Sequence, residues 1–159
     1  MNNWLQIARK NDQAQIKLIC FPYAGADARV FFDWHKYLPD YVEVCAVQLP
    51  GRGRRMSEMP IDDMCTLQRL LKQNVAPHLT QPYILCGYSL GSRIAFEFMC
   101  KSCRHNLPIG FIACASRAPH VASSGKAIHQ LPDEQFVQQL QQLGGTPSSI
   151  LHNSELMAL

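Results

Sequence analysis

The sequence predicts an α/β domain, with a mostly parallel sheet and helices flanking it. Short and nearly continuous apolar runs alternate with segments whose apolar residues recur at helical spacing. Strands that are apolar throughout are typical of parallel sheets, because helices cover both faces of such sheets. The chain has 159 residues, 47% hydrophobic and 17% charged, which is a globular composition and enough length for one core. We therefore expect residues 1–159 to belong to a single domain.

The first half of the chain predicts two strands and two helices in alternation. Residues 16–21, with the sequence IKLICF, form an apolar run that a proline closes, as in a buried strand followed by a turn. Residues 30–38 carry large apolar side chains at helical spacing and stop at the next proline. Residues 42–49, with the sequence VEVCAVQL, are rich in β-branched side chains and predict a second strand. Residues 64–79 place leucines and valine on one face of a predicted helix.

The second half continues the alternation as far as a final amphipathic helix. Residues 83–86 predict a third strand that Gly87 cuts short, and residues 90–103 predict the helix after it. Residues 109–115, with the sequence IGFIACA, predict a fourth strand. Residues 133–143 have helical periodicity, with acidic residues in the first turn and a glycine pair as a stop signal.

The composition excludes several classes of function. Fifteen Lys and Arg against 12 Asp and Glu give a net charge of +3, too small to indicate nucleic-acid binding, and the one dense basic spot is Arg52, Arg54 and Arg55. No apolar run approaches the roughly 20 residues of a membrane span, and the first residues do not resemble a signal peptide. The 7 cysteines, an odd number without a secretion signal, fit a reducing compartment. We therefore expect a cytoplasmic protein that binds neither membranes nor nucleic acid.

A CxxC pair, Cys100 and Cys103, lies at the end of a predicted helix and close to His105. A closed tetrahedral zinc site needs four ligands, and this segment has no second pair. We expect no metal and no other cofactor.

Residues 87–91 read Gly-Tyr-Ser-Leu-Gly, a GxSxG pattern that alone is weak evidence for any function. Here a predicted strand comes directly before it and a predicted helix directly after it, which is the context of a nucleophile elbow. Such a turn lifts the serine oxygen above the sheet and places the following N–H groups at a helix N-terminus, where an anion is favoured. The pattern predicts Ser89 as a catalytic nucleophile, and the alternative is a structural turn serine.

A serine hydrolase of this kind also needs a second N–H donor, from the loop after an earlier strand. Residues 22–26, Pro-Tyr-Ala-Gly-Ala, stand in that place. We expect the backbone N–H groups of Ala24 and Leu90 to form the oxyanion hole. The loop taken by itself also fits an ordinary strand-to-helix turn.

Five sequence blocks together resemble the stand-alone, type II thioesterases of polyketide and nonribosomal peptide pathways, which have the α/β-hydrolase fold. The blocks follow that family's order and cover nearly the whole chain. They are FPYAG at 21–25, QLPGRG at 48–53, GYSLG at 87–91, RAPH at 117–120, and the start of a helical lid within 128–147. The family usually has His where this chain has Tyr88 and Gly where it has Ala26, and neither difference removes a reacting group.

The resemblance implies an enzyme that hydrolyses acyl or aminoacyl thioesters on the phosphopantetheine arm of acyl or peptidyl carrier proteins. The usual role is the editing of misprimed synthases. It also implies a monomer whose helical lid begins within residues 120–159. Two alternatives stay open: another α/β-hydrolase that acts as an esterase or lipase on small esters, and an inactive fragment that keeps only contacts with the carrier protein.

In this fold the catalytic Asp and His each follow a later strand than the nucleophile does. None of the candidate side chains after Ser89 follows a strand-like run beyond the fourth predicted strand. We therefore expect the C-terminal part of the fold, with the catalytic Asp and His, to lie beyond Leu159, and the chain alone to be a poor thioesterase. The carboxylates after Ser89 are Glu97, Asp133, Glu134 and Glu155, and the histidines are His105, His120, His129 and His152.

Overall fold

In the part of the chain that the computed structural model describes, five strands form one sheet, accompanied by three α-helices and three 3-10 helices. The structure describes residues 3–102, 106–119, 121, 131–144 and 150. The strands are β1 (Leu5–Gln6), β2 (Ile16–Phe21), β3 (Val42–Val47), β4 (Tyr83–Tyr88) and β5 (Gly110–Cys114). The α-helices are α1 (Met64–Asn74), α2 (Leu90–Ser102) and α3 (Asp133–Leu143), and the 3-10 helices are Ala28–Tyr37, Gly53–Arg55 and Ala76–His78.

The strand order is β1-β3-β2-β4-β5, and all neighbours except β1 and β3 run parallel. The predicted α/β architecture with a mostly parallel sheet is therefore confirmed. Because β2 and β4 are adjacent and parallel, the segments that follow them leave the sheet at the same edge. That edge carries both the residue 22–26 loop and the GxSxG segment.

The sequence prediction missed β1, which is only two residues long. Leu5 pairs with Val47 in the antiparallel direction, and the Trp4 carbonyl accepts a hydrogen bond from the Gln48 N–H at 2.9 Å. Trp4 is buried, and the Arg55 guanidinium lies 4.4 Å from the centre of its ring. Two residues carry no periodicity, so only these tertiary contacts define the strand.

The observed elements differ from the predicted ones in type at one helix and in their bounds at several others. The helix predicted at 30–38 is a 3-10 helix that starts at Ala28, where the Asp27 side chain accepts from the Arg29 N–H. The helix predicted at 64–79 breaks after Asn74, since Pro77 lacks the N–H that would continue it. The third strand runs through Gly87 to Tyr88, because Gly87 pairs with Phe21 on one side and with Ala113 on the other.

The sheet separates two layers of buried side chains. Alternate strand residues such as Phe21 and Leu85 pack with residues of α1 and α2, including Leu71 and Phe98. The residues between them face the long 3-10 helix and its buried Phe31. Four of the cysteines lie in strands, as the sequence indicates, and burial raises the pKa of the Cys45 thiol to about 12, so that it stays a neutral, apolar side chain.

The chain divides into two compact units, Met1–Val121 and Ala122–Leu159. The first contains the whole sheet. In the second, α3 has the bounds that its periodicity predicts, with Asp133 and Glu134 in the first turn and Gly144 at φ 67° as the C-cap. Within the described ranges, no helix combines the length and the apolar character that crossing a membrane would need.

Candidate active site

Ser89 lies at a sharp turn between β4 and α2, as the GxSxG pattern predicts. Its φ is 50°, a left-handed conformation that among the described non-glycine residues only Ala115 shares. The turn is fixed on both sides, because the Ser89 N–H donates to the Cys114 carbonyl at 2.8 Å and the Ser89 carbonyl accepts from the Ser92 N–H at 2.9 Å. A strained conformation held in this way leaves the Ser89 side chain exposed at the start of α2.

Both glycines of the motif are required by close backbone approaches. A Cβ at Gly87 would lie 2.2 Å from the Ser92 Cα. A Cβ at Gly91 would lie 2.1 Å from the carbonyl oxygen of Phe21 and 2.6 Å from that of Pro22. Real Cβ atoms do not approach backbone this closely, so the first turn of α2 packs directly on the end of β2 only because residue 91 is glycine.

Ser92 is a supporting residue that the sequence reasoning missed. It is fully buried, and its hydroxyl donates to the Gly87 carbonyl at 2.6 Å across the turn. Its position in the sequence could have indicated this, because Ser92 lies one helical turn before Ala95 on the buried face of α2. A serine on a buried helix face usually bonds to nearby backbone. It stabilises the elbow and does not face solvent.

The residue 22–26 loop leaves β2 beside the elbow. Phe21 and Gly87 are register partners in adjacent parallel strands, so this loop and the elbow start side by side. Gly25 has φ 80°, and a Cβ at this position would meet no atom within 4 Å. The Ala26 N–H donates to the Tyr23 carbonyl at 3.1 Å.

Ala24 is exposed, and its N–H makes no hydrogen bond to a described residue. Leu90 is the first residue of α2, where N–H groups have no intrahelical acceptor. Both predicted donors are therefore at the same edge of the sheet as Ser89. That they converge on one substrate oxygen remains a prediction.

Gln48, also missed at the sequence level, connects the loops that follow β2 and β3. Its side chain is buried, its Oε1 accepts from the Ala28 N–H at 3.2 Å, and its Nε2 donates to the carbonyls of Leu49 and Arg52 at 3.1 and 2.6 Å. Asp27 lies next to Ala28, and the hydrogen-bonded Arg29 guanidinium lowers the pKa of its carboxyl. The contacts of Gln48 hold the base of the residue 22–26 loop in place.

Replacing Gln48 with leucine is expected to destabilise the protein by about 2–4 kcal/mol, because it removes the acceptor of the buried Ala28 N–H and the side-chain donor to the part-buried Leu49 and Arg52 carbonyls. The free energy of unfolding in urea measures this loss. Gln73→Leu, at an exposed position of α1, is the matched control and should change stability by less than about 0.5 kcal/mol. Equal effects of the two substitutions would contradict the role of Gln48.

The dense basic spot of the sequence is divided between structural and exposed roles. Arg55 is buried and holds Glu58 through hydrogen bonds of 2.7 and 2.6 Å, with a further bond to the Gln48 carbonyl at 3.1 Å. Arg52 donates to the Gly51 carbonyl at 2.7 Å, while Arg54 is exposed. The spot is therefore largely part of the loop's own structure.

No described residue makes a hydrogen bond to the Ser89 hydroxyl. The two histidines in the described part of the chain are unsuited to act as its base. His78 precedes β4 at the opposite edge of the sheet, and His35 bonds through Nδ1 to the Phe32 carbonyl. Glu97 is paired with Lys101 at 3.2 Å on α2. Four histidines and one carboxylate named in the sequence analysis lie outside the described residues, namely His105, His120, His129, His152 and Glu155.

The CxxC segment is only partly described. Cys100 is exposed on α2, while Cys103 and His105 lie outside the described residues. Within the described ranges, no three His, Cys, Asp or Glu side chains come together in a way that could hold a metal ion. The expectation that this segment binds no metal remains a prediction.

Comparison with known proteins identifies the family of the chain. Residues 16–159 match the family described as a thioesterase domain. The chain is 33% identical over 162 residues to the gramicidin S biosynthesis protein GrsT of Aneurinibacillus migulanus, covering 100% of this chain and 63% of GrsT.

Solved structures agree with this assignment. The type II thioesterase BorB from the borrelidin biosynthetic cluster superposes with a TM-score of 0.77 at 31% identity, over 96% of this chain and 63% of BorB. The thioesterase RedJ from the prodiginine pathway of Streptomyces coelicolor gives 0.75 at 37% identity, over 86% of this chain and 52% of RedJ. The chain thus spans less than two thirds of the length of these relatives. The resemblance to type II thioesterases is confirmed, and the chain belongs to the thioesterase family with the α/β-hydrolase fold.

Proposed function

We propose that Ser89 is the nucleophile of a thioesterase that releases acyl or aminoacyl groups from carrier proteins. The observation that carries this proposal is the Ser89 backbone, held at φ 50° between a parallel strand and a helix N-terminus. A left-handed non-glycine residue costs of order 1–3 kcal/mol, and such strain persists where the surroundings enforce it and a function uses it. Hydrogen bonds on both sides of the turn and the two tightly packed glycines enforce it here.

The chemistry follows from the position of the serine. The Ser89 Oγ attacks the thioester carbonyl carbon and its proton passes to a histidine base outside the described residues, while the Ala24 and Leu90 N–H groups stabilise the oxyanion. Collapse of the tetrahedral intermediate expels the phosphopantetheine thiol, which takes the proton. Water then attacks the acyl-serine, releases the free acid and restores the hydroxyl. The Ala24 N–H, which bonds to no described residue, and the helical position of Leu90 support these assignments.

The substrate class comes from the relatives. BorB is named as a type II thioesterase of a biosynthetic cluster and GrsT as a gramicidin S biosynthesis protein. From these names and the type II thioesterase resemblance, we infer that the partners of this protein are carrier domains that bear phosphopantetheine thioesters and that its role is editing. We also propose that it acts as a cytoplasmic monomer without a cofactor, and that residues 120–159 begin a helical lid. The amphipathic α3, which lies in its own compact unit, supports the proposed lid.

Substrate preference tests this function. The full-length protein is given one acyl group in two forms, as a thioester on a phosphopantetheinylated carrier protein and as an oxygen ester of a small alcohol. We expect kcat/KM to be higher for the carrier thioester by roughly tenfold or more, since remote binding energy from the carrier helps to orient the carbonyl. Release of the free acid is the measurement. A clear preference for the small oxygen ester would instead identify an esterase, the alternative reading of the GxSxG motif.

A further inference from the structure

We propose that Tyr23 and Tyr88 form an aromatic clamp that holds the residue 22–26 loop against the nucleophile elbow, so that both are positioning residues for the Ala24 N–H. Their ring centres are 5.2 Å apart at an interplanar angle of 56°. This separation lies within the range of favourable aromatic pairs. The inference rests on the function proposed above and assigns a role to two residues whose side chains are partly exposed.

Exposure makes this pair unusual. Tyr23 is 42% exposed and Tyr88 is 39% exposed, while other aromatic residues near the elbow, such as Phe21, are fully buried. Half-exposed rings contribute little to the stability of the core. These two rings nevertheless contact each other, and they belong to two different segments, the residue 22–26 loop and the end of β4. Tyr23 precedes Ala24, the proposed oxyanion donor, and Tyr88 precedes Ser89. The ring contact therefore joins the residues adjacent to the two groups whose separation matters for catalysis.

The tip of the loop has its own turn bond, from the Ala26 N–H to the Tyr23 carbonyl at 3.1 Å, which does not attach it to another segment. Its start is fixed where Pro22 is buried against Gly91, and its end where the Ala28 N–H donates to the Gln48 side chain. Between these points Ala24 and Gly25 are exposed, and a Cβ on Gly25 would meet no atom within 4 Å. Glycine adds backbone freedom at this position. The Tyr23 ring, on the preceding residue, contacts the Tyr88 ring of the elbow and restricts that freedom.

The strand geometry explains why Tyr88 is available for this role. Side chains alternate along β4, so Tyr88 lies on the same face as Ile84 and Cys86, the face that the long 3-10 helix covers. Tyr88 is the last residue of the strand and extends beyond the covered part of this face. Its ring is therefore left at the edge where the residue 22–26 loop passes.

Backbone dynamics and kinetics together test the clamp. In wild type and in Tyr88→Phe, which keeps a ring, we expect the amides of Ala24 and Gly25 to have order parameters near 0.85. In Tyr88→Ala we expect the order parameters of the same two amides to fall below about 0.6. In the full-length protein, Tyr88→Ala and Tyr23→Ala should each lower kcat roughly tenfold with KM nearly unchanged, part of the loss expected for removing an oxyanion donor. The double alanine variant should lose no more than either single variant, because one contact is removed in each case.

The outcomes separate this inference from the proposed function. Order parameters that stay high in both alanine variants overturn the clamp, whatever the activity. Alanine variants that change KM alone also overturn it, since the rings would then contact substrate. If the loop is mobilised as expected but wild type shows no Ser89-dependent hydrolysis, the clamp stands and the proposed thioesterase function fails.

Discussion

Replacing Ser89 with alanine is expected to lower kcat for thioester hydrolysis by the full-length protein by a factor of about 10⁴ to 10⁶. Without the hydroxyl no acyl-serine forms, and only substrate binding and the oxyanion donors can still accelerate attack by water. The fold should be unaffected, because the hydroxyl is exposed and makes no hydrogen bond to any described residue. Free-acid release under substrate saturation, together with thermal unfolding, measures both effects.

Ser57→Ala is the control for the Ser89 substitution, because Ser57 is an exposed serine in the loop between β3 and α1. This variant should retain wild-type activity and stability. If Ser89→Ala kept more than about a tenth of the activity, Ser89 would not be the nucleophile. Such a loss would correspond to a rise of under about 1.4 kcal/mol in the activation free energy.

Replacing Gly91 with alanine is expected to destabilise the protein by about 3 kcal/mol or more and to reduce hydrolysis in the molecules that still fold. The new methyl group would lie 2.1 Å from the Phe21 carbonyl oxygen and 2.6 Å from the Pro22 carbonyl oxygen. Both contacts are with backbone, so relief requires α2 to move away from the end of β2. That movement would separate the residue 22–26 loop from Leu90, and so it would move the two proposed oxyanion donors, the Ala24 and Leu90 N–H groups, apart. Urea unfolding gives the change in stability.

Gly110→Ala is the matched substitution for Gly91→Ala. A Cβ at Gly110, in β5, would lie 3.7 Å from two side-chain carbons of Ile84, which is an ordinary van der Waals contact. This variant should stay within about 1 kcal/mol of wild type, because alanine also restricts the unfolded chain. Similar losses for both variants would show that the close approach at Gly91 does not support the elbow.

The strand-to-helix elbow at Ser89 followed from the sequence because its signal is local. Residues 87–91 combine the end of a strand, a turn that needs glycine and the start of a helix, and all three features are properties of neighbouring residues. The Tyr83–Tyr88 strand, the Leu90–Ser102 helix and the left-handed Ser89 agree with that prediction. The five blocks of the resemblance likewise identified the family that the comparisons confirm.

Local signals were insufficient where elements depend on contacts with distant residues. Strand β1 exists because Trp4 packs against Arg55 and Leu5 pairs with Val47, partners more than forty residues away. The sequence prediction also missed the 3-10 geometry of Ala28–Tyr37 and the break before Pro77. Large apolar residues at helical spacing indicate which face is buried, but they do not distinguish one helix type from another.

By itself the sequence determined the α/β fold, the strand-to-helix elbow at Ser89 and the family. These depend on hydrophobic periodicity and on glycine and proline positions, which are encoded in consecutive residues. Only the tertiary structure decided which loops support the elbow: Gly91 against the Phe21 carbonyl, Ser92 across the turn, Gln48 under the residue 22–26 loop, and the Tyr23–Tyr88 ring pair. Apart from the Ser92 bond, which spans only five residues, these contacts join segments far apart in the chain, and short-range patterns hold no information about which distant side chains meet.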